Sequence, residues 1–491
     1  MKKRILSALL CALMLMSAFL VACADDDTDD PNLPGNATDA ETDYFSERDD
    51  LPDDLWFDNT KIVIHGRYGD PDFPIIELGV EEEIGEPIND AIWERNYNVE
   101  ERLGVVIEPY QPNPWQSYYN SVNQIRGTIQ SGVDDFQIIA GWSAQIPILS
   151  TEKLFDNLLD YEYINVDKPY WNRSIVNELQ INDTLYFLCG DISLLMLQSA
   201  YSMAMNAKVA DTYHITGIYD TVLNKEWTIE KLYQYSAMVY NDVNGDSKKN
   251  DGDLFGIHWG RLVNDVDSFM QSSQIRMTSR GEDGLPYLDV NEDKLNSLTE
   301  KIFKLVYENP GSLVAPSAEA DKAFIGDRSL FNPSYLFFYT YNYRDMESDY
   351  YILPYPLYDD QQEEYSTRVA DALSIWGMPI TVEAKDAVTA TLEAMASESY
   401  RIVTPAFFET SLKHKFTRIT NEKAYKMLDI IREGIMLNFE IIYNESIGNP
   451  YHILRDLIGN RNPNFASTWD NRKGDVIDKL ELVVENFELD I

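Results

Sequence analysis

Ile62-Val63-Ile64-His65-Gly66 is a short β-branched run closed by glycine, the pattern of a buried strand, and the segments after it decide the fold. Ile88, Ile92, Val99 and Leu103 lie at offsets 0, 4, 11 and 15, one face of a helix that Pro87 can open and Gly104 can close. Val105-Val106-Ile107 reads as a second strand, Tyr118 to Ile129 as a second helix, and Phe136-Gln137-Ile138-Ile139-Ala140-Gly141 as a third strand. This β-α-β-α-β order predicts an α/β lobe with a largely parallel sheet. Ligands of such open sheets bind beyond the carboxyl ends of the strands, so the loops starting at Arg67-Tyr68 and Trp142-Ser143 should face a cleft.

Further along, Leu185-Tyr186-Phe187-Leu188 and Leu373-Ser374-Ile375-Trp376 are strand-like, and Leu295 to Glu308 has a helical period. Thr228 opens a helix as N-cap, its side-chain oxygen accepting from the backbone two or three residues on. The ordered body, from about residue 58 to 491, exceeds the size at which a single core stops growing. Two lobes are expected. No internal repeat is visible.

Upstream of this body, Met1-Lys2-Lys3-Arg4 precedes an apolar run of 17 residues from Ile5 to Val21, shorter than the roughly 20 a spanning helix needs. Leu20-Val21-Ala22-Cys23 closes it and resembles the bacterial lipobox, which implies a signal peptide over 1–22 and lipid on the Cys23 sulfur. From Ala24 to Asp54 stand thirteen acidic residues against one base, Arg48, a composition that cannot bury enough apolar surface to fold. Residues 23–57 are therefore expected to be a disordered acidic tether. The location implied is extracytoplasmic, on the cell membrane through the lipid alone.

Three cysteines are present, and Cys11 leaves with the signal while Cys23 takes the lipid. Cys189 remains as a small core residue without a disulfide partner. The formal net charge of −42 becomes −45 once Lys2, Lys3 and Arg4 are removed, which excludes nucleic acid and anionic lipid surfaces as partners. It says little about a small ligand in a local cleft.

Asn96 to Leu103, Leu188 to Ser193, Glu226 to Leu232, Ile352 to Pro356 and Glu393 to Leu428 together resemble the extracellular solute-binding proteins of bacterial ABC importers, in their carbohydrate-type group. The resemblance implies an α/β, two-lobed periplasmic-binding-protein-like fold of type II, with hinge crossings and an interlobe cleft. Crossings are implied near Cys189 to Asp191, Ala372 to Trp376 and Phe407 to Ser411. One lobe would hold 59–190 plus 375–408, the other 191–374 plus 409–491. A monomer serving an importer permease is implied, with no catalytic residues.

Asp242-Val243-Asn244-Gly245-Asp246-Ser247-Lys248-Lys249-Asn250-Asp251-Gly252-Asp253 matches a calcium loop of EF-hand type. Asp242, Asn244, Asp246, Asn250 and Asp253 supply side-chain oxygens and Lys248 a backbone carbonyl, the hard ligands that Ca2+ takes. Dockerin loops are similar and also end in Asp. One departure stands out: the glycine expected at loop position six is Ser247. Solvated acidic turns use the same residue types.

Tyr and Trp faces stack on sugar rings while their polar ends reach hydroxyls. The candidates for ligand contact are Tyr68 and Trp142 at strand ends, Trp259 after the acidic loop, Tyr339 and Tyr341 on one face of a strand-like run with Tyr343, and Trp376 at a crossing. Each also has a plain reading as core packing. Asp191, a carboxylate at the first crossing, could accept two ligand hydroxyls.

The five histidines are scattered, with neither a His-Glu-x-x-His pair nor a Gly-x-Ser-x-Gly elbow. The leading function is a lipid-anchored receptor for a small solute, a sugar or oligosaccharide with peptide as the alternative ligand. A tethered carbohydrate-active hydrolase is the second reading, and a surface adhesin the third.

Overall fold

The alternation read from residues 62–141 is realised as β1 (Thr60–Gly66), α1 (Pro87–Leu103), β2 (Val105–Tyr110), α2 (Tyr118–Gln130) and β3 (Ile138–Trp142). Pro87 occupies the first turn of α1, where its missing N–H costs nothing. Gly104 ends the helix in the left-handed region, φ 62° and ψ 48°, and its N–H bonds the Glu100 carbonyl. Ile92, Val99 and Leu103 are buried, as the period required.

The computed structural model describes residues 45–67, 75–112, 118–371, 373–416, 419 and 421–488. The signal peptide, Cys23, the tether up to residue 44, Tyr68 and Ala372 lie outside the described residues. Among those described, no helix is long and apolar enough to cross a membrane.

The other strands are β4 (Tyr201–Asn206), β5 (Tyr240–Asn241), β6 (Leu254–Trp259), β7 (Thr278–Arg280), β8 (Pro286–Leu288), β9 (Ser312–Val314), β10 (Ser329–Tyr335), β11 (Tyr350–Leu353), β12 (Thr367–Arg368), β13 (Ser374–Gly377) and β14 (Ile435–Met436). The first sheet runs β13-β3-β1-β2, with β1 parallel to both neighbours and β13 antiparallel on β3, Ser374 facing Trp142. A second sheet runs β11-β4-β10-β6-β5, with β9 beside β6. Here β6, β9 and β10 are parallel, while β4 and β11 pair antiparallel. Every residue of β4, an inner strand between β11 and β10, is buried.

Two further helices frame the sheets: α3 (Leu262–Ser272) leaves the end of β6, and α4 (Lys385–Glu398) packs on α1. The chain leaves the first sheet after β3, returns to it as β13, and continues through α4 into wide π-helical turns at Ser399–Val403 and Ala406–Phe416. Gly190 lies where the first passage is tightest: a Cβ there would stand 2.1 Å from the Tyr170 carbonyl oxygen. Cys189 is buried, and burial pushes its thiol up to about 12.

Several expectations need correction. Leu185 to Leu188 is no strand; only Leu188 forms a bridge, to Trp376. Tyr339 sits in a helix, Leu336–Thr340, so Tyr341 is exposed while Tyr339 and Tyr343 are buried against each other, and the three do not share one face. The helix expected from Leu295 starts at Glu292 under an Asn291 cap and turns π-helical at Lys304–Glu308. The Thr228 cap is present, its hydroxyl accepting from Lys231 N–H at 3.2 Å.

The carboxyl-terminal part of the segment expected to be a disordered tether is ordered. Residues from Glu47 belong to the compact unit that runs to Ile491. The Arg102 guanidinium donates to both Asp49 carboxylate oxygens at 2.9 and 2.7 Å, and Lys168 pairs with Glu47 at 2.9 Å and Asp50 at 2.7 Å. Burial alone would raise Asp49, but Arg102 holds its carboxyl below the usual range. Leu51 is buried beside them. A segment too polar to fold alone is thus ordered by ion pairs that the body supplies. A chain starting at Trp56 is expected to be about 3 kcal/mol less stable to urea than one starting at Glu47. Equal midpoints would contradict the docking.

Candidate functional site

The carboxyl ends of the parallel strands gather the candidate site. On the first sheet, Arg67 follows β1 and Trp142 ends β3; the guanidinium carbon lies 4.6 Å from the Trp142 ring centre. Ser143, one residue on, donates its hydroxyl to the Asp371 carbonyl at 2.7 Å. Trp142 is half-buried and so keeps part of its face accessible.

On the second sheet, β6 delivers Arg261 and β10 ends at Tyr335. Arg261 packs over the Phe338 ring at 4.4 Å, pairs with Asp321 at 2.6 Å and donates its backbone N–H to Asp265 at 3.0 Å. Tyr201 donates to the Tyr335 hydroxyl at 3.0 Å, and its ring lies 5.0 Å from the Arg368 guanidinium carbon. Arg368 is only 2% exposed. Its Nε and Nη1, the Tyr355 hydroxyl and Asp265 Oδ1 are buried polar atoms without hydrogen-bond partners. Asp267, 3.8 Å from Arg368, is already held by Arg455.

Unsatisfied buried polar atoms are costly, so a cluster of them marks a place that expects a polar guest. Beside Arg368 is an enclosed cavity of about 40 Å³ lined by Ala144, Asp371, Asn444, Glu445 and His452 among others. Ala144 comes from the loop after β3 and Arg368 from β12, so the cavity lies between the end of the first sheet and the β12 segment. It has room for a water molecule and not for a sugar ring. Arg368 offers donors there and Asp371 and Glu445 acceptors, the mixture a polyhydroxylated molecule needs. A larger groove of about 470 Å³ between Pro286–Leu288 and the helix Phe465–Glu488 is lined by Leu288, Ile477, Leu480 and Val484 together with Lys473, Glu481 and Glu485.

The structure sorts the residues singled out in the sequence. Trp142 is half-buried at the end of β3, under the Arg67 guanidinium. Tyr341 is 48% exposed, stacked on Phe337 just beyond the carboxyl end of β10. Trp259, Tyr339 and Trp376 are fully buried, with their polar ends satisfied by Ser312, Ser202 and Ser193 at 2.8, 2.9 and 2.8 Å. They are core residues, a correction to their assignment as ligand contacts. Asp191 is buried too and accepts from the Thr404 hydroxyl, which joins the first passage to the π-helical stretch. Arg261, Tyr335, Tyr355 and Arg368 carried no local signal, although Arg261 follows a strand and Gly260 just as Arg67 follows β1 and Gly66.

Burial pushes Asp191 up to about 6 and Asp265 and Glu393 up to about 7, and raises Glu77, Asp267 and Glu440 as well. At these groups the folded protein holds protons more tightly than the unfolded chain, so stability falls as pH rises from the unfolded values through the folded ones. His65, His258 and His452 are pushed down to about 4, also by burial, and act oppositely below pH about 6.5. The two sets offset each other near pH 5–6, leaving the carboxyl groups in control above. The melting temperature is expected to be nearly flat from about pH 5 to 6 and to fall from about pH 6.5 to 8. A rise over the upper interval in calorimetry would contradict this.

No family model matches the chain, and no curated protein is similar to it. Solved structures are. The galacto-N-biose-/lacto-N-biose I-binding protein of an ABC transporter from Bifidobacterium longum, in complex with lacto-N-biose, aligns with a TM-score of 0.57 at 9% identity, covering 87% of this chain and 98% of its own. An ABC transporter solute-binding protein from Thermotoga lettingae bound with α-D-tagatose gives 0.54 at 10% identity, covering 86% and 100%. An ABC substrate-binding protein from Listeria monocytogenes in complex with cycloalternan gives 0.51 at 10% identity, covering 88% and 100%. Identities this low speak for the fold alone. The chain has the two-lobed α/β fold of ABC-transporter solute-binding proteins.

Proposed function

We propose that this protein is an extracytoplasmic receptor that captures a small solute, a sugar or oligosaccharide, between its two lobes and delivers it to the permease of an ABC importer. The observation that carries the reading is the group of buried, unpartnered polar atoms of Arg368, Tyr355 and Asp265 beyond the carboxyl end of the second sheet, with Trp142 at the carboxyl end of β3 on the first. Similar folds crystallised with lacto-N-biose, tagatose and cycloalternan support a carbohydrate. The lobes would hold 59–190 with 375–408 and 191–374 with 409–491, each keeping its core while ligand contacts to both favour the closed state. Lipid on Cys23 and an acidic leash up to residue 46 would keep the receptor at the membrane. The protein acts by binding, with no chemical step on the solute.

A thermal-shift screen against mono-, di- and oligosaccharides and short peptides tests this. Binding to the native state adds about 2.7 kcal/mol at a hundredfold excess over Kd. The expected result is a saturable shift with one sugar class, the sugar recovered intact, and weaker binding by Trp142→Ala at unchanged stability. Recovery of cleaved sugar, with cleavage lost in Asp371→Asn or Glu445→Gln, would replace the receptor by a hydrolase. A saturable shift with peptides alone would move the ligand class.

A further inference from the structure

The loop between β5 and β6, Asp242–Asp253, lies outside the cleft, and the receptor reading makes no use of it. Asp242 accepts from the N–H groups of Gly245 and Ser247 at 2.7 and 2.9 Å. Asn244 accepts from Asp246 N–H at 2.9 Å, and Asp246 from Lys248 N–H at 2.8 Å. The Lys248 carbonyl points inward, accepting from the Asn250 side chain at 3.3 Å. Ser247 has φ 63°, so the serine at loop position six makes the left-handed turn for which glycine is usual. The one departure in sequence is therefore no departure in backbone.

Such an acidic turn could stand alone in water, but Asp253 could not. It is fully buried, its carboxylate meets the Asn250 N–H at 3.3 Å and the Tyr240 hydroxyl, and its Oδ1 still has no hydrogen-bond partner. A buried carboxylate oxygen without a donor is expensive, and a cation supplies what the loop lacks. Among the described residues no three of His, Cys, Asp and Glu converge closely enough to hold a metal as placed. Only three of the six candidate ligands here are carboxylates; two are Asn side chains and one is a carbonyl. The carboxylates of Asp242 and Asp246 are turned to the loop's own amides.

We propose that Asp242, Asn244, Asp246, Lys248 through its carbonyl, Asn250 and Asp253 bind calcium, which draws these oxygens together and satisfies Asp253. The set is all oxygen and can reach the six to eight contacts a hard, flexible cation takes. Magnesium, which demands a tighter octahedron, fits it less well. Because Asp253 directly precedes β6, the ion fixes the start of the strand whose far end carries Arg261. Its role is structural.

Tyr240 provides a local reporter. Its ring lies 4.6 Å from Lys249 Nζ, and its hydroxyl is raised by desolvation and by the nearby carboxylates of Asp253, Asp242 and Asp246. Terbium replacing calcium is therefore close enough to be excited through this tyrosine. The experiment titrates the chelator-treated protein with calcium, with magnesium at equal ionic strength, and with terbium, following Tm and luminescence. Calcium is expected to raise Tm saturably by about 5 °C at a hundredfold excess, and magnesium by less. Asp246→Asn, at an exposed position, is expected to weaken calcium at least about tenfold, a loss of one charged ligand. Tyr240→Phe should dim terbium emission and keep the calcium shift. No calcium shift beyond the magnesium control would overturn the proposal, as would a shift left unchanged by both Asp246→Asn and Asp253→Asn.

Discussion

Trp376→Ala is expected to lower stability by about 4 kcal/mol, the range for emptying a fully buried tryptophan site. Trp376 has no exposed surface and lies on β13, the strand that returns to the first sheet. Its backbone exchanges hydrogen bonds with Leu188 at 2.9 and 2.8 Å, and its indole N–H donates to the Ser193 hydroxyl. Ser193 in turn donates to the Ser374 carbonyl at 2.6 Å. Two passages of the chain are thereby clasped together at one side chain. The alanine leaves a cavity and deprives Ser193 of a donor. Trp376→Phe refills most of the space and should lose only about 1–2 kcal/mol. Urea titrations of both variants check the pair, and a loss under about 1 kcal/mol for the alanine would mean that the site collapses freely.

Arg95→Met should cost about 3–5 kcal/mol, because it removes a buried cation near Glu77 together with the hydrogen bonds that cation donates. Arg95 is fully buried on α1, donating to the Glu77 carbonyl at 2.6 Å, to Asn96 at 2.9 Å and to Ser399 at 3.3 Å. Burial lowers it to about 10, which leaves it charged at neutral pH, and the Glu77 side chain favours that charge. Glu77 accepts from Leu195 N–H at 3.0 Å, while its Oε1 has no hydrogen-bond partner. Removing the arginine leaves that carboxylate with Arg67 as its remaining cation. The double variant with Glu77→Gln should recover part of the loss, a coupling of about 1–3 kcal/mol in a mutant cycle. Strict additivity would show that the two groups act separately.

The first sheet was legible because each of its elements is periodic in its own right. Ile62 to Gly66 needed only a β-branched run, and α1 announced itself by spacing, proline and glycine together. The second sheet was less so: β10 contains Pro333, and Tyr339 to Tyr343 alternate as a strand would but coil because Tyr339 and Tyr343 both turn into the core. Strand ends gave Arg67 and Trp142, which meet face to face in the structure. The unsatisfied polar group near the second sheet had no such signal. Arg368, Tyr355 and Asp265 come from distant parts of the chain, and no local period marks residues whose shared property is a missing partner. Large aromatics misled for the same reason: Trp259 and Trp376 look alike in sequence whether serine or sugar meets the indole. The docked acids Glu47, Asp49 and Asp50 were misread because composition does not record that Arg102 and Lys168 await them.

The placement of β13 has a consequence for how the molecule forms. β3 is the inner neighbour of a strand that arrives only after the whole second sheet has been passed, so until Ser374–Gly377 docks, β3 presents an open edge. Closing that contact spans most of the chain, and long-range pairings of this kind are slow. The first sheet therefore begins early and finishes late. In the interval its bare edge is the place where a neighbouring chain would add a strand, and aggregation during refolding should depend on β3 rather than on any surface of the finished protein.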